Sequence, residues 1–246
     1  GRLPEDAPSV FLVDIQPDQW GAVRKRLEAV DEGALDTNPV AMARLRALDG
    51  KPVSEIIAER DASGETAWMF SRELRLTWQA ELADDNEIVR GELWSDPDVD
   101  EISLEQDYAA DLGVDVGSTI RMDVQGLPIE LVVTSIRSVD WESFGINFFM
   151  VVEPGVLDDA PHTRLAVARI EPEAAELSLQ TEFATAFPNV TMLRVRPLIE
   201  KLMSVFSRVS AGVRGLGSFT IITGLVILAG AVATTALRRS REAALL

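Results

Sequence analysis

The chain has 246 residues, with 40 acidic and 23 basic side chains, a net charge of −17 and no cysteine. This charge argues against binding to nucleic acid and against electrostatic docking on anionic lipid, because both partners require a basic face. The lack of cysteine excludes disulfides, thiol chemistry and zinc–thiolate sites, so the fold must be held together by its apolar core.

The first 50 residues predict a strand–helix–strand unit. The apolar run SVFLVDI (residues 9–15) indicates a buried strand, and Pro17-Asp18 begins a helix over residues 18–30 with apolar residues at helical spacing. Residues 40–48 (VAMARLRAL) alternate and predict a second strand that ends at the Asp49-Gly50 turn.

The middle of the chain predicts a β-rich segment. A short helix is expected at residues 54–61. Ser103 is expected to cap a second helix over residues 104–112, which ends at Gly113. Gly126-Leu127-Pro128 predicts a hairpin turn between two of the strands. Strands are predicted at residues 72–78, 87–94, 119–124, 129–139 and 147–152.

A second strand–helix–strand unit is expected at residues 163–170, 173–187 and 190–195. The predicted fold class is therefore α+β. Residues 1–50 and 163–196 form the two halves of one lobe, and residues 51–162 form a β-rich lobe inserted between them.

From Pro197 the pattern becomes helical, because apolar residues recur three and four positions apart. This seam predicts a stalk helix over residues 197–215 that packs against a partner helix. The stalk continues without a break into residues 216–237, giving one helix of about 60 Å. The seam consists of Leu198, Leu202, Val205, Val209, Val213 and Leu216.

Residues 216–237 (LGSFTIITGLVILAGAVATTAL) contain no charged side chain. A helix of that length spans about 33 Å at roughly 1.5 Å per residue, enough for a bilayer core of about 30 Å. Gly217, Gly224 and Ala231 recur on one face, where small residues let transmembrane helices approach closely.

The sequence that follows the apolar span predicts its orientation. Arg238, Arg239 and Arg241 mark the cytoplasmic side under the positive-inside rule. The expected location is a bacterial inner membrane, with residues 1 to about 215 in the periplasm and 238–246 in the cytoplasm. Because the chain starts with Gly1 and shows no signal peptide, we expect it to be a piece of a longer protein.

The cytoplasmic segment 238–246 has two interpretations. Its arginines are sufficient as a stop-transfer signal. Alternatively, the segment continues as an amphipathic helix that docks on a cytoplasmic partner through the residues after the arginines, which are Glu242, Ala243, Ala244 and Leu246.

No catalytic motif is found in the sequence, so we expect neither an enzyme nor a cofactor. The single histidine, His162, is interpreted as a solvated loop residue, and no G-x-S-x-G elbow, H-E-x-x-H pair or P-loop accompanies it. The acidic loop with Asp96, Asp98, Asp100 and Glu101 is read as solvated. A weak divalent-cation site is the alternative, although the glycine and distal glutamate of a calcium loop are absent.

Aromatic residues cluster in the segment WESFGINFF. Most aromatic side chains at strand spacing pack in a core. The alternative is a surface for a hydrophobic substrate or partner. The residues concerned are Trp141, Phe144, Phe148 and Phe149.

Four blocks of the sequence resemble the FtsX/MacB-like permease family of ABC transporters, and more narrowly its YbbP-like branch. They are spread over most of the chain, and the stalk, span and RRSREAALL segment agree with the resemblance. The blocks are FLVDIQPDQ (residues 11–19), LTWQAEL (76–82), VDWESFGINFF (139–149) and FPNVTMLRV (187–195).

The resemblance implies a MacB-like periplasmic domain with a porter-like lobe and an inserted β-rich lobe. It also implies a cytoplasmic ABC ATPase subunit that carries the nucleotide sites, and further transmembrane helices of the same permease. Movement would pass from the ATPase through the stalk to the outer lobes. A periplasmic thioesterase or lysophospholipase-type partner is implied too, with a lipid or other hydrophobic substrate. The alternative is a membrane-anchored binding or adaptor module without an ATPase.

Overall fold

The computed structural model describes residues 8–30, 35–60, 70–141, 143, 145–195 and 197. The chain divides into two units, Gly1–Arg194 and Val195–Leu246, and all elements named below lie in the first. The helices are α1 (Pro17–Glu28), α2 (Val53–Glu59), α3 (Gln106–Leu112) and α4 (Glu173–Ala186). The strands are β1 (Val10–Ile15), β2 (Asp36–Leu48), β3 (Lys51–Pro52), β4 (Leu74–Trp78), β5 (Asn86–Gly91), β6 (Glu101–Glu105), β7 (Thr119–Val124), β8 (Leu127–Val139), β9 (Met150–Val152), β10 (Thr163–Ala168) and β11 (Thr191–Arg194).

One lobe is an antiparallel sheet in the order β11–β1–β10–β2. Its connectivity is β1–α1–β2 followed by β10–α4–β11, which is the ferredoxin-like arrangement. We call it the four-stranded lobe, and it confirms both predicted strand–helix–strand units. Its separate core packs α1 and α4 on the sheet through Val10, Leu12, Val23, Leu27, Ala166, Leu179, Phe183 and Met192, among others.

The chain between β2 and β10 forms a second lobe around a closed ring of six strands. Hydrogen-bonded neighbours follow the circuit β2–β4–β9–β6–β8–β7 and return to β2. We call this the ring lobe. Strand β2 belongs to both lobes, since residues 36–40 pair with β10 and residues 41–48 pair inside the ring lobe. The ring encloses its own core, which includes Leu76, Ile102, Leu104, Ile120, Met122, Leu131, Val133 and Met150.

The prediction for residues 103–112 was wrong at its start. Ser103 does not cap a helix, because it lies inside β6, where all five residues are buried between β8 and β9. Helix α3 instead begins after Glu105, whose carboxylate accepts hydrogen bonds from the amides of Asp107 (3.1 Å) and Tyr108 (2.8 Å). The predicted end at Gly113 is confirmed, with φ of 78°.

Several strand boundaries also differ from the prediction, since β2 begins at Asp36, β4 begins at Leu74 and β5 ends at Gly91. The hairpin between β7 and β8 turns on Gln125 and Gly126, both with positive φ, and Leu127 and Pro128 already belong to β8. A two-residue turn with positive φ matches the twist of the flanking strands. Strand β9 begins at Met150, so residues 147–149 belong to the preceding loop and not to a strand.

The stalk seam from Leu198 onward, the apolar span 216–237 and the segment 238–246 lie outside the described residues. Val195 and Pro197 are helical. Within the described ranges, no helix is both long enough and apolar enough to cross a bilayer.

The two glycines Gly91 and Gly50 provide a matched test of backbone packing. Both have positive φ, +77° and +75°, but a Cβ at Gly91 would lie 2.0 Å from the carbonyl oxygen of Thr134, whereas nothing lies within 4 Å at Gly50. We expect Gly50→Ala to lower the free energy of unfolding by about 1 kcal/mol. Gly91→Ala should lower it by at least about 2 kcal/mol, since the backbone of β8 has little room to move. Denaturant unfolding followed by circular dichroism measures both, and equal losses would contradict the observed register of β5.

Candidate functional site

The loop between β8 and β9, residues 140–149, presents two aromatic side chains to solvent, and we call it the aromatic loop. Trp141 is 49% exposed and Phe149 is 43% exposed. Their ring centroids lie 4.8 Å apart, and Tyr108 of α3 lies 5.3 Å from Phe149 on its buried side. Phe148 is half-buried, and Phe144 lies outside the described residues. Core packing therefore does not account for Trp141 and Phe149.

A buried arginine holds the C-terminal end of this loop. The side chain of Arg137 on β8 is fully buried, and its guanidinium donates to Oδ1 of Asn86 (2.7 Å) and to the carbonyl oxygen of Phe148. Glu105 pairs with it in register on β6 and is also buried. Burial lowers the pKa of Arg137 to about 10, while the charges of Glu105 and Asp85 act in the opposite direction. The arginine is therefore charged at neutral pH.

The middle of the aromatic loop is held by Asp85, just before β5. Its carboxylate accepts hydrogen bonds from the Ser143 hydroxyl and from the amide groups of Asn147 (2.7 Å) and Asn86 (2.8 Å). A Cβ at Gly145 would lie 2.7 Å from Oδ2 of Asp85, so a larger residue there would have to displace this carboxylate. Burial alone would raise the pKa of Asp85, but these hydrogen bonds outweigh it and lower the pKa.

A second carboxylate connects the aromatic loop to the four-stranded lobe. Asp36, at the start of β2, accepts a hydrogen bond from the backbone amide of Ile146. Burial raises the pKa of Asp36, and the charge of Asp85 adds to this, against the amides of Ile146 and Thr37. The loop that carries the aromatic pair is thus held by side chains from β2, β8 and the start of β5.

The acidic loop does not form a cation site around Glu101. The Glu101 side chain is fully buried and accepts hydrogen bonds from the amides of Ser95 (2.9 Å) and Asp96 and from the hydroxyl of Thr134 (2.8 Å). These internal donors occupy the carboxylate that a calcium loop would offer to the ion. Among the described residues, no group of three or more acidic or histidine side chains is arranged to hold a metal ion.

The interpretation of His162 as a solvated residue needs correction. It is half-buried, its ring lies edge-on to Trp78 with centroids 5.0 Å apart, and Nδ1 lies 2.9 Å from the carbonyl oxygen of Ala160. These contacts give it a packing role beside the ring core.

The remaining predicted site residues lie outside the described residues, and their roles stay predictions. They comprise the stalk seam, the small residues Gly217, Gly224 and Ala231, and the segment from Arg238 to Leu246. The sequence analysis missed Arg137, Asp85 and Asp36. Local sequence did not distinguish them, because the bulge in β8 shifts its core-facing positions from Leu131 and Val133 to Ile136, and Arg137 lies just beyond it.

The buried arginine gives the first test of this site. Arg137→Met removes two hydrogen bonds and leaves Glu105 buried without its cation, so we expect a loss of about 3 kcal/mol or more in the free energy of unfolding. Arg121→Met is the matched control in the same lobe, because the Arg121–Glu130 pair is exposed (58% and 54%). It should cost about 0–1 kcal/mol. Urea unfolding followed by tryptophan fluorescence measures both, and an equal effect would mean that Arg137 does not hold the loop.

The two carboxylates predict opposite dependences on pH. Asp85 has a pKa below the ordinary 3.8, so its ionised form stabilises the fold at neutral pH, and this stability is lost as pH falls through the folded-state pKa. Asp36 has a raised pKa, so its ionised form costs stability at neutral pH, and the cost disappears as pH falls.

Asp85→Asn should therefore destabilise the chain at about pH 7 and lose this effect toward about pH 3. Asp36→Asn should be neutral or stabilising at about pH 7, because it removes a carboxylate whose ionised form the fold disfavours, while asparagine can still accept from the Ile146 amide. Unfolding free energies measured across this range check both signs. The same sign for both variants at neutral pH would contradict the assignment.

No family profile matches the chain. Two solved structures align with part of the chain. The periplasmic region of MacB from Actinobacillus actinomycetemcomitans aligns with TM-score 0.46 and 9% identity, over 80% of this chain and 92% of that chain. A domain of a Porphyromonas gingivalis permease protein aligns with TM-score 0.37 and 12% identity, over 78% and 91%.

The ABC transporter permease YbbP of Escherichia coli (strain K12) is 31% identical to the chain over 201 residues. The match covers 82% of this chain, and the chain spans 23% of the length of that relative. The sequence resemblance seen in the four blocks thus extends over most of the chain. The chain belongs to the ABC transporter permease family, in its YbbP-like branch.

Proposed function

We propose that the chain is the extracytoplasmic domain and adjoining transmembrane helix of the permease subunit of an ABC transporter in a bacterial inner membrane. The observation that carries this proposal is the 31% identity to the YbbP permease over 82% of the chain. In the proposal, the chain hydrolyses no ATP, and a separate cytoplasmic ATPase subunit supplies the energy. Further transmembrane helices of the same permease pack on the face with Gly217, Gly224 and Ala231.

The proposed mechanism is mechanical. Closure of the ATPase on nucleotide displaces segment 238–246, and the helix over residues 197–237 carries this displacement to the outer lobes. The uncharged span and the continuous apolar seam of the sequence support a single stiff helix. The order of elements also supports it, because β11 ends at Arg194 and leads directly into this segment.

The proposed substrate is a lipid or another apolar molecule that the transporter exports or extracts from the membrane. Support comes from the exposed aromatic pair Trp141 and Phe149. Part-buried hydrogen bonds from Arg137 and Asn147 hold their loop in place, although water does not favour an exposed aromatic surface. A periplasmic partner of the thioesterase or lysophospholipase type belongs to the same proposal and rests on the family resemblance.

Two double variants of the full permease test this proposal. Ala243→Asp with Ala244→Asp leaves the three arginines that fix orientation, so insertion should be normal. The added carboxylates should weaken co-purification of the ATPase and abolish its stimulation by substrate, because like charges and buried carboxylates disfavour a docked helix.

Trp141→Ser with Phe149→Ser should give the complementary result. ATPase binding should be normal, and transport of an apolar substrate should fall by about tenfold, since two contacts of an exposed aromatic surface are removed. Leu177→Ser, at an exposed leucine of α4, is the matched control and should change neither property. If the Asp variant keeps wild-type ATPase binding and stimulation, the proposed coupling through 238–246 is wrong, and a membrane-anchored adaptor becomes the better explanation.

A further inference from the structure

The last residue of β11, Arg194, makes two ion pairs at the point where the two units of the chain meet in sequence. The first unit ends at Arg194 and the second begins at Val195. The covalent path from the segment after Val195 into the first unit therefore runs through the backbone of β11. What holds this short strand in place decides how much of a displacement along this path is passed on.

The two ion pairs join β11 to the first turn of α4. Nη2 of Arg194 lies 2.6 Å from Oε1 of Glu173, and Nε lies 3.0 Å from Oε2 of Glu176. Positions three apart on a helix share one face, so both carboxylates point at the same guanidinium. On the strand, Arg194 shares the inward face with the buried Met192. The hydrogen bonds that Arg194 donates to Glu176 and to Glu173 raise the pKa of its guanidinium.

The Arg194–Glu176 pair is far less exposed than the ion pairs elsewhere in the described residues. The Arg194 side chain is 13% exposed and the Glu176 side chain is 0% exposed. In every other ion pair found in the described ranges, both side chains are at least 30% exposed. A buried ion pair adds little stability compared with apolar packing. Separating its partners costs much free energy, however, because a charge is then left buried and unpaired. Such a pair therefore suits a fixed attachment.

Strand β11 needs such an attachment because it is weak against a pull from its C-terminal end. It has four residues and pairs only with β1 in the described part of the chain, from Val10↔Arg194 to Val13↔Thr191. A pull on Val195 acts first on the Val10–Arg194 pair and then opens the ladder one pair at a time. The ion pairs lie at the residue where this opening would begin.

We infer that Arg194 is a positioning residue that fixes the end of β11 to α4, so that displacement of the following segment moves the whole four-stranded lobe. Without it, the same displacement is absorbed by the separation of β11 from β1. This inference rests on the proposed mechanical function for its purpose, but the attachment itself is a property of the chain.

The test uses the double variant Arg194→Met with Glu176→Gln. A single change at Arg194 would leave a buried unpaired carboxylate and unfold the lobe, whereas the double variant removes both charges and keeps similar volumes. The matched control is Arg26→Met with Glu182→Gln, which removes the 2.6 Å pair between α1 and α4 in the same lobe without touching β11.

The first measurement is hydrogen–deuterium exchange on the whole chain in detergent. The double variant should keep the wild-type unfolding temperature within a few degrees while the amides of residues 191–194 exchange at least about tenfold faster, since local opening is then easier. The control variant should exchange like the wild type. Unchanged exchange in β11 of the double variant would overturn the inference.

The second measurement is the number of substrate molecules moved per ATP hydrolysed by the full permease with its ATPase. The double variant should bind the ATPase and hydrolyse ATP normally, but this ratio should fall by about fivefold. Arg194→Lys with Glu176 intact should recover part of the ratio, because lysine keeps the charge but not both hydrogen bonds. A wild-type ratio in a double variant that exchanges faster would overturn the positioning role. If the wild-type complex itself shows no ATP-linked transport, the proposed function fails, and the exchange result alone decides whether Arg194 holds β11.

Discussion

The structure of the first unit depends on one strand that hydrogen-bonds in two lobes. Strand β2 is 13 residues long, more than twice the usual strand length of about five or six. Its first residues complete the antiparallel sheet of the four-stranded lobe, and the rest closes the six-stranded ring. Because the backbone is continuous and paired along this strand, the two lobes are joined by a hydrogen-bonded element rather than by a linker. The ring lobe can be inserted between β2 and β10 because these two strands pair with each other, and β10 with β1, in the four-stranded lobe whether or not the insertion is present.

Buried charged side chains hold two loops and one helix start of the ring lobe in place. Their structural contacts are enough to explain where they lie. Glu101 holds the acidic loop, Glu105 begins α3, and Arg137 holds the end of the aromatic loop. A buried charge is tolerated when hydrogen bonds replace the lost water, and each of these side chains has at least two such partners or lies beside an opposite charge. Some of the many carboxylates of the chain therefore have a structural role, because they accept hydrogen bonds from amides that no backbone carbonyl binds.

The periodicity of the sequence predicted the four-stranded lobe well. Its strands are apolar and separated by amphipathic helices, and β1, α1, β10, α4 and β11 lie within a few residues of their predicted positions. The failures lie in the ring lobe. The run from Glu101 to Glu105 (EISLE) alternates polar and apolar residues, as a strand does, but Ser103 was read as a helix cap because a serine before leucine and acidic residues is a common helix start. The residue that caps the helix is Glu105.

The site was harder to predict because its contacts are distant in sequence. An exposed surface with Trp141 and Phe149 was among the predicted alternatives. The residues that hold this loop, Asp36, Asp85 and Arg137, are far in sequence from the groups they bind. The largest separation is 110 positions, between Asp36 and Ile146. Glu101 was read as part of a solvated loop, with a cation site as the alternative, whereas its buried carboxylate binds the amides of Ser95 and Asp96 and the hydroxyl of Thr134, which lies 33 positions away. Local patterns report which residues are apolar or charged, whereas the partner of a buried charge is set by topology.

The same topology bears on how the proposed function would use this domain. Arg194 lies at the end of the four-stranded lobe that leads to Val195, and the aromatic loop lies in the ring lobe. Between them, the chain offers a route of paired backbone: β11 pairs with β1, β1 with β10, and β10 with the first residues of β2. Asp36 then binds the amide of Ile146 inside the aromatic loop. A sheet resists stretching along its hydrogen bonds only if its edge strand stays attached, since the ladder opens from its end. Under the proposed function, movement of the aromatic loop with the four-stranded lobe would depend on the buried pair of Arg194 and Glu176 at one end and on the continuous strand β2 at the other.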